Sequence, residues 1–74
     1  MSVVEIFVTD VEEEAKAEEC IEVLSFHFPE HRINFDLEDK DKILRMEGPP
    51  PDVKIITGVL AILKVRSRLF PEEK

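Results

Sequence analysis

The stretch that most constrains the fold is Arg32–Gly48, RINFDLEDKDKILRMEG. Ile33, Phe35 and Leu37 alternate with Arg32, Asn34 and Asp36, the two-residue period of a half-buried strand. The charged run Glu38–Lys42 cannot join a core. A second short run, Ile43–Glu47, follows and is closed by Gly48. Two strands joined by a short polar turn read as a β-hairpin. Its second strand puts Leu44 and Met46 on the core side and Ile43, Arg45 and Glu47 on the other.

The remaining segments are placed around that hairpin. Val3–Thr9 is β-branched and aromatic apart from Glu5, and reads as a strand. Val4, Ile6 and Val8 are assigned to the core, which leaves Val3, Glu5, Phe7 and Thr9 on the outer face. Thr9 or Asp10 is the expected cap of a helix from Val11 or Glu12 to His27. Ala17, Ile21, Leu24 and Phe28 form its apolar stripe, and Pro29 ends it. Glu12, Glu13 and Glu14 suit the positive end of the helix dipole. As oxygen ligands these carboxylates and Asp10 do not converge, because consecutive helical residues point apart. Glu18, Glu19 and Glu22 make a solvated outer face, from which Val23 and Phe26 stand off the core stripe.

Gly48-Pro-Pro-Pro51 is a stiff, extended connection. Asp52 is the expected N-cap of a second helix, with a stripe of Ile55, Ile56, Val59, Ile62 and Leu63. Arg66 would fall on that stripe, so the helix is expected to end near Lys64 or Val65. Arg68–Phe70 is a short fourth strand in this reading. The order βαββα(β) predicts an α+β domain, an antiparallel sheet with both helices on one face. A single domain is expected over 1–74, with its core at about 3–70 and a charged tail at 71–74.

Composition limits the function. At 74 residues the chain holds one modest core, and domains near this size bury only about 60% of their unfolded surface. The net charge of −7 weighs against nucleic acid and against anionic membranes. No apolar run approaches the ~20 residues that span a bilayer. One cysteine excludes an internal disulfide. With no basic, apolar leader either, a reducing cytoplasm is the expected compartment. Ser25 and Ser67 lack a His and an acid at interpretable spacing. Gly48 and Gly58 are the only glycines, so there is no phosphate-cradling loop. An enzyme is therefore not expected, and no cofactor is implied.

The element order, the segment ECIEVL at Glu19–Leu24 and the hairpin INFDLEDKDKILRMEG together resemble heavy-metal-associated domains of the copper-chaperone type. The resemblance spans Val3 to about Phe70 and implies a ferredoxin-like sandwich. That family binds soft metal ions through Met-x-Cys-x-x-Cys after the first strand, where two thiolates converge on one ion. Counted back from Ile21, the two cysteines fall at Glu14 and Ala17. The loop reads TDVEEEAKA, with no thiol, thioether or imidazole. The family's metal chemistry therefore carries over to no residue of this chain.

Three readings follow. The first is a non-enzymatic module that works by protein contact, either with a partner or as a weak homo-oligomer, through the open sheet face. On that face Val3, Phe7 and Ile43 are expected to form an apolar cluster beside Arg45, with Glu5 pairing to Arg45 across strands. The second is a metal-binding protein using Cys20 with His27 and His31, a set that matches no established ligand spacing. The third is a regulatory domain that binds a small molecule, by analogy of fold, although two helices over a small sheet leave little room for a pocket.

Overall fold

In the computed structural model, which describes residues 1–70, six elements follow one another. They are β1 (Val3–Thr9), α1 (Glu14–His27), β2 (Arg32–Asp36), β3 (Ile43–Gly48), α2 (Val53–Ile62) and β4 (Ser67–Phe70). The expected tail at 71–74 lies outside the described residues. The strands form one antiparallel sheet in the order β2-β3-β1-β4. One core cluster draws Ala17, Cys20 and Leu24 from α1 and Ile56 and Leu60 from α2. It also takes Phe7, Leu44 and Met46 from the sheet, so both helices cover the same face. This is the α+β arrangement expected, and its strand order fits a ferredoxin-like sandwich.

The facing of β1 is opposite to the expectation. Phe7 is fully buried, whereas Val4 is 50% exposed. Residues opposite one another in a ladder share a face, and Phe7 pairs with Leu44 while Glu5 pairs with Met46. The buried side of β1 is therefore the side of Phe7 and Thr9. Both faces of β1 are rich in apolar residues, and the large aromatic ring is the one that goes inside. Thr9 tolerates burial because its hydroxyl is satisfied twice. It donates to the Lys42 carbonyl at 2.6 Å and accepts from the Val11 amide at 3.2 Å.

Those bonds also shift the start of α1. Thr9 and Asp10 were the expected caps, but Asp10 Oδ1 instead accepts from the Arg66 amide at 3.1 Å. The helix begins at Glu14 behind Glu13, which makes no capping side-chain bond. Val11 is drawn into the core on the way.

The hairpin forms where expected. Asp39 Oδ1 accepts from the Asp41 amide at 2.8 Å, and Lys42 Nζ donates to the Leu37 carbonyl at 3.0 Å. Asp52 caps α2 as expected, accepting from the Lys54 amide at 2.9 Å. The buried stripe of α2 is Ile56 and Leu60, flanked by Val53, Val59 and Leu63. Ile55 and Ile62, expected inside, are 50% and 79% exposed. The helix stops at Ile62 rather than at Lys64 or Val65. There the Val65 amide donates to the Leu60 carbonyl at 2.8 Å and the Lys64 amide to that of Ala61 at 2.9 Å. Lys64 takes a left-handed φ of 66°. This is a Schellman ending, with buried Val65 and Leu60 as its apolar contact.

Candidate functional site

The sheet face away from the helices is built by the residues that alternate with the core set. The ladder places them in three rows running from β2 to β4. The first is Arg32–Glu47–Val4, the second Asn34–Arg45–Ile6–Phe70, and the third Asp36–Ile43–Val8–Arg68. Val4, Ile6 and Val8 thus form an apolar column along β1, extended sideways by Phe70, which is 45% exposed. Ile43 is 6% exposed yet stands outside the core cluster, as its position on this face requires.

Three arginines, Arg32, Arg45 and Arg68, are exposed on the same face. Among the described residues the one ion pair is Lys16–Glu19, at 3.1 Å on α1. None of the three guanidinium groups is held in an ion pair there. A chain with a net charge of −7 therefore presents three exposed cations beside its apolar column, unpaired among the described residues, against Asp36 and Glu47. Such groups give a surface both affinity and register for an incoming carboxylate.

Of the four residues expected on this face, Ile43 and Arg45 lie on it. Phe7 belongs to the core, and Val3 falls on the same side of the strand as Phe7. Glu5 cannot pair with Arg45, because Ile6 is the residue opposite Arg45. The residues sequence reasoning missed are Val4, Ile6, Val8, Arg68 and Phe70. Their signal was the equal apolar character of both sides of β1, which leaves the choice to packing.

The metal candidates are scattered. Cys20 is fully buried in the core. Burial pushes its thiol above its ordinary value, opposed by Lys16 and assisted by Glu19 and Asp10. His27 is exposed and makes an edge contact with Phe26. His31 packs edge-on against Phe28, and its Nε2 lies 2.6 Å from the Pro49 carbonyl oxygen, to which it donates. Among the described residues no group of three or more His, Cys, Asp or Glu side chains is placed to hold an ion. Glu14 and Ala17, where the resembled family has thiolates, are the exposed first residue of α1 and a buried core residue.

Two concavities lie at the edges of the described molecule. A groove of about 510 Å³ runs between α1 and the hairpin, and another of about 320 Å³ lies beside Asp10, Lys16 and Lys64. This is more room than expected from two helices over a small sheet. No described helix is long and apolar enough to cross a membrane. Comparison with known protein families, with curated proteins and with solved structures finds no match.

Proposed function

We propose that this chain is a non-enzymatic interaction module, a relative of heavy-metal-associated domains without their metal motif. It acts in the cytoplasm by docking the open sheet face onto another protein. The observation that carries the reading is the column Val4, Ile6 and Val8 with Phe70, bordered by three exposed arginines. An apolar centre with a polar, charged border is the anatomy of a protein interface. The arginines select a partner surface that offers apolar side chains ringed by carboxylates.

Two further features support it. Glu14 and Ala17 leave no soft ligand at the start of α1. Single-stranded nucleic acid binds sheet faces through several stacked aromatics, and among the described residues the open side offers one, Phe70.

The test is the double variant Arg45→Glu/Arg68→Glu. Both positions are exposed, so thermal stability should stay close to that of the parent, as surface changes usually cost within ~0.5 kcal/mol. Quantitative affinity purification should show loss of specific partners with the variant. Unchanged partner recovery and association state would reject the reading.

A further inference from the structure

The free edge of β2 is a second surface, which meets the open face at Asn34, Asp36 and Arg45. β2 pairs with β3 on one side and ends the sheet on the other. The groove of about 510 Å³ runs along that free edge, from the flank of α1 to Asn34 and Arg45 beyond the strand. Its lining includes apolar Ile21 and Phe35, and carboxylates from Glu14, Glu18, Asp36 and Glu38.

An unpaired edge offers a row of backbone donors and acceptors that another strand can complete. The side chains of an added strand alternate, and every second one enters the groove beside α1. A long aliphatic stem fits against Ile21 and Phe35, and a cationic head reaches the Glu14 and Glu18 carboxylates on α1. We propose that the β2 edge accepts an extended segment of a partner protein as a fifth strand, with Lys or Arg at the positions facing α1.

A second copy of this chain is the competing occupant. In the antiparallel register centred on Asn34, Arg32 meets Asp36 of the other copy and Ile33 meets its Phe35. That register is self-complementary within the strand. The flanking helices decide against it. The one lysine of α1, Lys16, is held by Glu19. Pairing two copies sets one acidic α1 flank beside another, at a net charge of −7 per chain. A basic segment from a different protein removes that repulsion and gains attraction instead.

The probe is an acetylated, amidated nonapeptide of alternating lysine and valine, titrated into the ¹⁵N-labelled full chain at low salt. Amide signals of Ile33–Asp36 should shift, and their hydrogen exchange should slow. Affinity should fall about tenfold or more in Glu14→Lys/Glu18→Lys, in line with charge complementarity at a docking groove. Both residues are exposed, so the fold should hold. A peptide with proline in place of valine keeps the charge but cannot extend the ladder, and should bind about tenfold more weakly or worse. The proposal is overturned by any of five results. They are silence of the β2 signals, shifts centred on Val4, Ile6 and Val8, equal binding by the proline peptide or by the charge-reversed variant, or dimerisation of the chain through β2.

Discussion

Truncating Phe7 and Val4 separately tests which face of β1 is buried. Phe7 is fully buried in the core cluster it shares with residues of α1 and α2, whereas Val4 is 50% exposed. Phe→Ala at a buried site costs about 3–5 kcal/mol, because the lost transfer energy adds to that of the cavity left behind. Val4→Ala removes two methyl groups, half of whose surface is already wet. At ~0.8 kcal/mol per buried methylene, its cost is about 0.8 kcal/mol. A domain of this length has a total stability of about 4–11 kcal/mol. Phe7→Ala should therefore be largely unfolded at low urea, while Val4→Ala keeps a clear cooperative transition. Urea unfolding followed by circular dichroism measures both, with Phe7→Leu as a milder variant, since leucine leaves a smaller cavity than alanine and costs correspondingly less. If Val4→Ala cost as much as Phe7→Ala, the assignment of faces would be wrong, and the docking surface with it.

Three more outcomes follow from particular contacts. A Cβ on Gly48 would stand 2.8 Å from His31 Cδ2 and 3.2 Å from the Glu30 carbonyl oxygen, at a φ of +156°. Gly48→Ala should therefore lose about 1–3 kcal/mol, as overpacked sites do, read as a lower urea midpoint. Lys64→Gly should raise stability by up to about 1 kcal/mol, because a left-handed residue other than glycine pays a Cβ penalty of ~1–2 kcal/mol. Part of that gain is offset by the freer unfolded chain. Cys20 should resist thiol reagents in the native state and react on unfolding. Its raised value sets the sign of a pH effect. Above about 9.0, its ordinary value, the unfolded chain loses the thiol proton while the folded chain keeps it. Stability should therefore fall as pH rises past that point, and a Cys20→Ala variant should lose that part of the slope.

What the sequence disclosed depended on contrast between adjacent residues. The β2–β3 hairpin alternates polar and bulky residues over Arg32–Leu37 and Leu44–Glu47, so Leu44 and Met46 could be assigned to the core and Ile43, in phase with Arg45, to the other face. Asp52 preceded an apolar run with no competing partner, and it caps α2. In β1 the contrast fails, because Val3 and Phe7 on one side match Val4, Ile6 and Val8 on the other. Packing against α1 and α2 then decides, and it chooses the ring. The α2 stripe was misplaced for the same reason, since Ile55, Leu60 and Ile62 are equally apolar and only the helix's docking separates them.

The start of α1 was illegible for a different cause. Thr9 and Asp10 have good capping chemistry but spend it on Lys42 and Arg66, partners 33 and 56 residues away. For the candidate site, the idea of an apolar and charged open face could be read from the chain, as could Arg45 on it. The parity of β1 could not, since by sequence Val3 and Phe7 suit the open face as well as Val4, Ile6 and Val8, which lie on it.

The most direct measurement is site-specific photocrosslinking in living cells, with a benzophenone side chain at Ile6 and, as a control, at Glu22 on the outer side of α1. Docking through the open face gives discrete adducts with another protein from position 6, lost on Arg45→Glu/Arg68→Glu, and none at position 22. Equal adduct patterns at the two positions, or adducts at position 6 that survive the charge reversal, would contradict it.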